Sequence, residues 1–276
     1  MAVLMLGLGL LAGRAFCAVA EPKEKAWNIL ASGVAEKSAL KRADAVQALG
    51  LLPRDARART LAEKALGDES PRVRAGAAIA LGDMRSARSI PKLTVALSDK
   101  DPVVVLSAAH SLLVMHEHKA YDVYYAVLTG QRKAGRSLVA QQRADLDDPK
   151  KLAVFGIETG LAFVPFGGIG VSAYKLISKN SSDAIRAAAA EVLAQDADPE
   201  SRTALIDAIS DHSELVRIAA LKAIAARGDP GLLTTLVPAM DDEKDAVRYV
   251  AAAAAIRLVG VAKGPQTGIV KPAKNN

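Results

Sequence analysis

The amino-acid sequence predicts an all-α protein built as a solenoid of stacked helix pairs. Hydrophobic residues make up 51% of the chain but aromatic residues only 4%, a composition that suits helices packed through alanine and other small side chains. The stretch "DESPRVRAGAAIALG" at residues 68–82 returns as "DHSELVRIAALKAIA" at residues 211–225. Repetition of one helical pattern along a chain is the signature of a repeat architecture.

The repeat has a period of about 31 residues. We number each unit from an anchor residue, and the six anchors are Glu36, Asp68, Asp99, Asn180, Asp211 and Asp242. Nine residues after every anchor stands an alanine: Ala45, Ala77, Ala108, Ala189, Ala220 and Ala251. Positions five and thirteen are apolar, except Lys41. Because positions 5, 9 and 13 lie on one stripe of a helix, the first helix of each unit should pack closely on its neighbour through this stripe.

A second helical stretch follows in several units, starting near Arg88, Asp198 and Asp229. Pro91, Pro199 and Pro230 stand where a first-turn proline is tolerated, and Ser89, Asp198 and Asp229 are candidate N-caps. A single pair of this size cannot bury both of its faces, so neighbouring units should stack.

An arginine stands six residues after five of the anchors: Arg42, Arg74, Arg186, Arg217 and Arg248, with Val105 breaking the series. These cations could bind an anionic ligand. We favour a structural role, in which each anchor acid caps a helix and each arginine binds an acid or carbonyl of the adjoining unit.

The form D-x-x-x-x-V-R-x-x-A-A-x-A-L-G, seen in residues 68–82, resembles a HEAT repeat of the subtype found in phycobilisome lyases. The resemblance covers residues 36–118 and 180–260. It implies a right-handed, curved array of antiparallel helix pairs whose inner face commonly binds proteins. It also implies a possible bilin lyase activity, for which the residues themselves show no chromophore pocket.

Residues 1–20 are predicted to be a signal peptide, because an apolar run precedes the small-x-small sequence Ala18-Val19-Ala20. The protein is therefore expected to be exported, to the periplasm or beyond, with an uncleaved membrane anchor or a misplaced start as alternatives. Cys17 is the only cysteine, so no disulfide is expected. The N-terminal repeats should cover residues 21–118, the C-terminal repeats 180–260, and a flexible tail 261–276.

Residues 119–179 interrupt the repeat as an extended helix followed by an inserted helical hairpin at 149–178. Seven of the nine aromatic residues after the leader lie here: Tyr121, Tyr124, Tyr125, Phe155, Phe163, Phe166 and Tyr174. Glu158, Pro165 and the glycines at 167 and 168 argue against a membrane span. Either the hairpin fills the gap where the solenoid is split, or it is the binding element, and shallow insertion into a bilayer surface is a further alternative.

No catalytic, cofactor or metal site is predicted. His116 and His118 would point apart on a helix, and His110 falls in a column that varies from unit to unit, which is typical of a surface. No nucleotide-binding loop or hydrolase motif follows a strand. The charge of +6 is spread along the chain, which favours a solvated basic surface over a nucleic-acid site.

We therefore expect a non-enzymatic scaffold that binds a protein partner. The second helices, near Lys92, Thr94, Arg202, Thr203, Thr234 and Thr235, are expected to form its inner face together with the hairpin. The candidate partner-binding residues are Phe155, Phe163, Phe166, Tyr121, Tyr124, Tyr125, Arg202 and Lys92. The alternatives are a lyase-like HEAT enzyme or chaperone acting on a bound chromophore or protein, and a membrane-surface adaptor that uses residues 149–178.

Overall fold

The computed structural model describes residues 21–123 and 182–262, and this part of the chain is helical with no strand. The all-α solenoid prediction is thereby confirmed. The first helices of the six units are α2 (Ala39–Ala48), α4 (Pro71–Asp83), α6 (Pro102–Val114), α8 (Ser182–Leu193), α10 (Glu214–Arg227) and α12 (Asp245–Ala262). The other helices are α1 (residues 21–33), α3 (Ala56–Ala65), α5 (Ile90–Ala96), α7 (residues 119–123), α9 (Pro199–Ala208) and α11 (Leu233–Leu236).

The helix starts follow local chemistry, but the anchor acids are not the N-caps that the sequence predicts. The N-cap residue is Ser70, Asp101 or Ser213, two residues after the anchor. The anchor carboxylate instead accepts a hydrogen bond from the backbone N–H two positions ahead, 2.8 Å from Asp68 Oδ1 to the nitrogen of Ser70. The anchor acids therefore hold the turn before each helix, as aspartates do in Asx turns.

Of the predicted second-helix caps, Asp198 accepts from Glu200 N and Asp229 from Gly231 N. Ser89 makes no capping bond, because its buried hydroxyl donates to Glu63 at 2.7 Å. The cap prediction for Ser89 is therefore wrong.

The alanines at position nine are buried in five units, with no exposed surface at Ala45, Ala77, Ala108, Ala220 and Ala251. They allow the first helices to pack along one row, as the periodicity predicts. Ala189 is the exception, since it is exposed on α8. Ile185 on the same stripe is exposed as well, and so is the nearby Val192, because α8 stands at one end of the row.

The row does not follow the order of the chain. Its first helices pack in the order α8, α10, α12, α2, α4, α6, so the last unit stacks on the first. The units anchored at Asp99 and Asn180 are therefore at opposite ends of the row, and whether the hairpin fills the space between them stays a prediction. The predicted hairpin itself, residues 149–178, lies outside the described residues.

We call the junction between α12 and α2, with α1 beside it, the seam. The unit of α12 has no second helix of its own within the described residues, which end at Ala262. Helix α1 packs beside α12 and takes the place of a second helix in this unit, with Trp27 and Leu30 buried in the common core. The close approach needs Gly33, since a Cβ there would lie 2.4 Å from Cε1 of Tyr249. The two ends of the described chain thus share one repeat unit.

The first three units form the N-terminal block and the last three form the C-terminal block. The arginines at position six join successive units within each block, and we call this series the Arg–Asp ladder. Arg74 donates from Nε and Nη2 to the two carboxylate oxygens of Asp99 in the next unit, both at 2.8 Å. Its Nη1 donates to the backbone carbonyl of Asp68 in its own unit, at 3.0 Å. The equivalent pairs are Arg42–Asp68, Arg186–Asp211 and Arg217–Asp242. Arg42, Arg74 and Arg217 therefore fix both the turn before their own helix and the position of the next unit.

The ladder stops where the row order departs from the chain order. Arg248 bonds to Asp245 and to the carbonyl of Asp242 within its own unit. The seam is held instead by Lys25–Asp241 and Lys41–Asp245, with nitrogen–oxygen distances of 2.6 and 2.7 Å. Lys41 thus departs from the apolar pattern because it makes an ion pair across the seam.

Candidate binding surface on the inner face

The row of helices is curved, with the first helices on its inner side. Successive first helices pack on one another, while the second helices pack on first helices and make little contact with each other. The charge of Lys222 on α10 lowers the pKa of Asp83 on α4, although α12 and α2 stand between them. Side chains three helices apart can interact this way only if they face each other across a concave surface.

Most side chains at positions 4, 8, 11 and 15 from the anchor, the stripe not used for stacking, reach solvent. We call this surface the inner face. Its larger side chains are Leu40, Asp44, Gln47, Arg72, Ile79, Asp83, Val103, His110, Leu215, Lys222 and Arg257. Leu40 and Leu215 are 52% and 42% exposed, so the inner face presents apolar groups among charges.

Asp44 is the most perturbed carboxyl group of the inner face. The pKa of Asp44 is raised to about 6, chiefly by desolvation in the surrounding protein and also by Glu214 on α10, against the lowering effect of Arg72 on α4. A carboxylate that is poorly solvated and lacks a strong cationic partner is costly to keep charged. Asp44 is therefore a group whose charge a bound partner could compensate.

Three other groups show the same environment. Asp83 is exposed to solvent, yet desolvation raises the pKa of its carboxyl, as expected for a group at the bottom of a concave surface. Desolvation lowers the pKa of His110 and that of Arg257. The guanidinium of Arg257 also donates to the carbonyl of Leu51, 3.1 Å away, across the seam.

The structure places the described candidate partner-binding residues away from this face. Lys92 on α5 forms an ion pair with Glu63 at 2.6 Å, and Arg202 on α9 forms one with Asp229 at 3.0 Å. Both lie on second helices, which form the outer side rather than the predicted inner face. Tyr121 on α7 is 60% exposed. The other five candidates lie outside the described residues: Tyr124, Tyr125, Phe155, Phe163 and Phe166. Partner binding by any of the eight stays a prediction.

The structure corrects the premise for the histidine pair but adds no metal site. His116 lies in a turn after α6 with φ of 63°, not on a helix. Within residues 21–123 and 182–262, no three His, Cys, Asp or Glu side chains are arranged to hold a metal ion. Over the same residues, no helix combines the length and the apolar character needed to cross a membrane.

The repeat pattern of the sequence does not reveal the inner face, because the residues of this face vary from unit to unit. Position 11 holds Gln47, Ile79, His110, Glu191, Lys222 and Ala253, and this variability correctly indicates a side chain that does not build the repeat. The same variability is what a binding surface would show. To predict which stripe forms a concave surface, the curvature of the row must be known, and the 31-residue period alone does not specify it.

The comparison with known protein families agrees with this architecture. No curated protein matches the chain. Among solved structures, human deoxyhypusine hydroxylase in complex with glycerol is similar at 20% identity, covering 88% of this chain and 89% of that one, with a TM-score of 0.31. Such a similarity carries no argument about activity. The profile of the HEAT repeats family matches residues 28–113 and 173–257, more than half of the sequence. The chain therefore belongs to the HEAT repeat family.

Proposed function

We propose that this protein is a binding scaffold that takes a protein partner on the inner face of its first helices and carries out no catalysis. One observation supports the proposal most strongly. The side chains not needed for stacking place exposed leucines beside poorly solvated charges on one concave surface. Apolar groups surrounded by charge are typical of a surface that binds another protein.

The charges of the inner face favour a partner with both basic and acidic groups. Asp44 and Glu214 lie close enough to raise the pKa of Asp44, while Lys222 and Arg72 provide positive charge nearby. A partner that places a cation near Asp44 would relieve the repulsion between the two carboxylates. Electrostatic complementarity of this kind gives specificity more than affinity.

A capture experiment with matched variants tests the proposal. Immobilised wild-type protein is compared with the double variant Leu40→Glu, Leu215→Glu and with Val95→Glu, whose parent side chain is 75% exposed on α5 of the outer side. We expect the proteins retained by the wild type to be retained by Val95→Glu and lost with the double variant. Thermal unfolding of all three proteins controls for folding.

Loss of the partners with Val95→Glu but not with the inner-face variant would contradict the proposal and place the binding surface on the outer side. Retention by both variants would exclude the inner-face leucines. Deletion of residues 149–178 tests in the same assay whether the predicted hairpin takes part.

The alternatives from the sequence stay predictions, as does export through residues 1–20. Saturable absorbance changes on titration with bilins would support a lyase-like activity and contradict the non-catalytic proposal. Flotation of the protein with liposomes would support membrane-surface attachment.

A further inference from the structure

A cavity of about 550 Å³ opens at the seam between α1 and the N-terminal end of α12. We call it the seam pocket. Glu21, Glu24, Lys25, Asn28, Ile29, Ser32 and Gly33 line it from α1, Glu36 from the turn after α1, and Asp245, Arg248 and Tyr249 from α12. The pocket exists only where the two ends of the described chain pack together.

The ionised groups of the seam pocket leave an excess of negative charge. Its two cations are already paired, Lys25 with Asp241 and Arg248 with Asp245. The carboxylates of Glu21, Glu24 and Glu36 have no ion pair or side-chain hydrogen bond among the described residues. A ligand of this pocket would therefore carry positive charge.

Tyr249 provides independent evidence that the pocket is built for a ligand. Its side chain is only 4% exposed, and it lines the pocket with its ring against Gly33. Its hydroxyl has no hydrogen-bond partner among the described residues. The ring is buried but the hydroxyl oxygen is not among the enclosed, unsatisfied polar atoms of the described residues, so it is open to the pocket, where it can accept a hydrogen bond from a group that enters. Desolvation raises the pKa of Tyr249, and Glu36 raises it further, so the hydroxyl stays protonated beside this carboxylate.

We propose that the seam pocket binds a basic side chain, arginine or lysine, presented by a peptide segment of a partner protein. The guanidinium or ammonium group donates to Glu36 and to the Tyr249 hydroxyl oxygen, and Glu24 adds negative charge at the opening. A divalent metal fits less well, since no three acidic or histidine side chains in the described part of the chain are arranged as metal ligands. The site goes beyond the inner face proposed above, and either proposal can fail alone.

The test is a titration of the full-length protein with the peptide acetyl-Gly-Arg-Gly-amide, followed by NMR at low salt. The matched probe replaces arginine with citrulline, which keeps the shape and removes the charge. We expect saturable shifts at residues of both α1 and α12 with the arginine peptide, and at least fivefold weaker binding of the citrulline peptide.

Three variants assign the effect to the pocket. Glu36→Gln and Tyr249→Phe should each weaken binding of the arginine peptide about fivefold or more, because charge-assisted hydrogen bonds are lost. Glu200→Gln, which changes an exposed carboxylate on α9 of the outer side, should leave it unchanged. Tyr249→Phe keeps the ring against Gly33, and unchanged amide spectra confirm that the variants are folded.

Equal binding of the citrulline and arginine peptides would overturn the proposal, as would shifts located away from α1 and α12. Unchanged affinity in both Glu36→Gln and Tyr249→Phe would also overturn it. Shifts produced by magnesium or calcium chloride but not by the peptide would replace it with a metal site.

Discussion

Two kinds of junction hold this molecule together, the ladder joints within each block and the seam between the blocks. A ladder joint uses an arginine that contacts both carboxylate oxygens of the next anchor, with side chains of Arg74 and Asp99 only 7% and 15% exposed. The seam uses lysine pairs, of which Lys25–Asp241 is 41% and 66% exposed, and adds helix α1 from the other end of the chain.

The difference shows that stacking geometry is preserved while the polar contacts change. Units that follow one another within a block are joined by the same arginine–aspartate contact. The two units that meet only after folding are joined by side chains found at that place alone, such as Lys41 and Gly33. The positions where the repeat is broken therefore mark where the chain departs from simple stacking.

The largest expected effect is at a ladder joint. Arg74→Ala should lower the free energy of unfolding by about 3 kcal/mol, because it leaves the carboxylate of Asp99 partly buried without its cation. Arg248→Ala, at the same position of the unit beside the seam, should cost about 1 kcal/mol, because its ion pair lies within its own helix. Urea unfolding measures both. Equal losses would contradict the distinction between joint and seam.

At the seam, Gly33→Ala should lower the free energy of unfolding by about 2 kcal/mol, because the new methyl group overlaps Tyr249 and Ala45. Gly260→Ala is the control, since nothing lies within 4 Å of a Cβ at that helical position. It should raise stability by up to about 1 kcal/mol through helix propensity. A neutral Gly33→Ala would mean that α1 is not held against α12 as described.

A third comparison uses the alanine stripe itself. Ala77→Leu should destabilise by about 2 kcal/mol through overpacking between α2 and α4, whereas Ala189→Leu, at the same position on the exposed stripe of α8, should change stability by about 0.5 kcal/mol or less. Thermal unfolding distinguishes them. A large loss at Ala189 would show that another element covers α8 in solution.

The smallest expected effect is a difference in how inner-face and ladder carboxylates make the free energy of unfolding depend on pH. The folded-state pKa of Asp44, about 6, lies above the unfolded value of about 4. Its charge therefore costs stability above pH 6, and this cost disappears as pH falls through 6 towards 4. Asp44→Asn should raise the free energy of unfolding by about 1 kcal/mol at pH 8, allowing for partial solvation, and by nothing at pH 4.

The ladder carboxylates respond in the opposite direction. Arg74 and the backbone N–H of Asp101 lower the pKa of Asp99 against the effect of desolvation, so its contribution is present above pH 4 and is lost as pH falls through the lowered value. Wild type and Asp44→Asn contain the same ladder carboxylates. Their loss of stability at low pH therefore cancels when the free energies of unfolding of the two proteins are subtracted. A difference that grows towards low pH would contradict the raised pKa of Asp44.

Much of the fold follows from the sequence because it depends on local periodicity. The alanines at position nine, the arginines at position six and the first-turn prolines all act within one unit or between consecutive units. The prediction that the ladder is structural is supported at Arg42, Arg74, Arg186 and Arg217 by the carboxylates that they bind.

The seam and the inner face could not be predicted in the same way. Stacking of α12 on α2 is a long-range contact between surfaces that look alike in every unit, so the repeat pattern permits several orders. Lys41 is visible in the sequence as an exception to the apolar pattern, yet the exception does not identify the residue with which Lys41 pairs. Curvature, which brings Lys222 towards Asp83, accumulates from small rotations between units.

Zero-length cross-linking tests the central claim, that the last unit stacks on the first, most directly. Carbodiimide joins a lysine to a carboxylate only when the two are in contact, and the product is identified by mass spectrometry of the isolated monomer. The account predicts Lys25–Asp241 and Lys41–Asp245 products alongside Lys92–Glu63, whose atoms are 2.6 Å apart within the N-terminal block. Formation of the Lys92–Glu63 product without either seam product would contradict it.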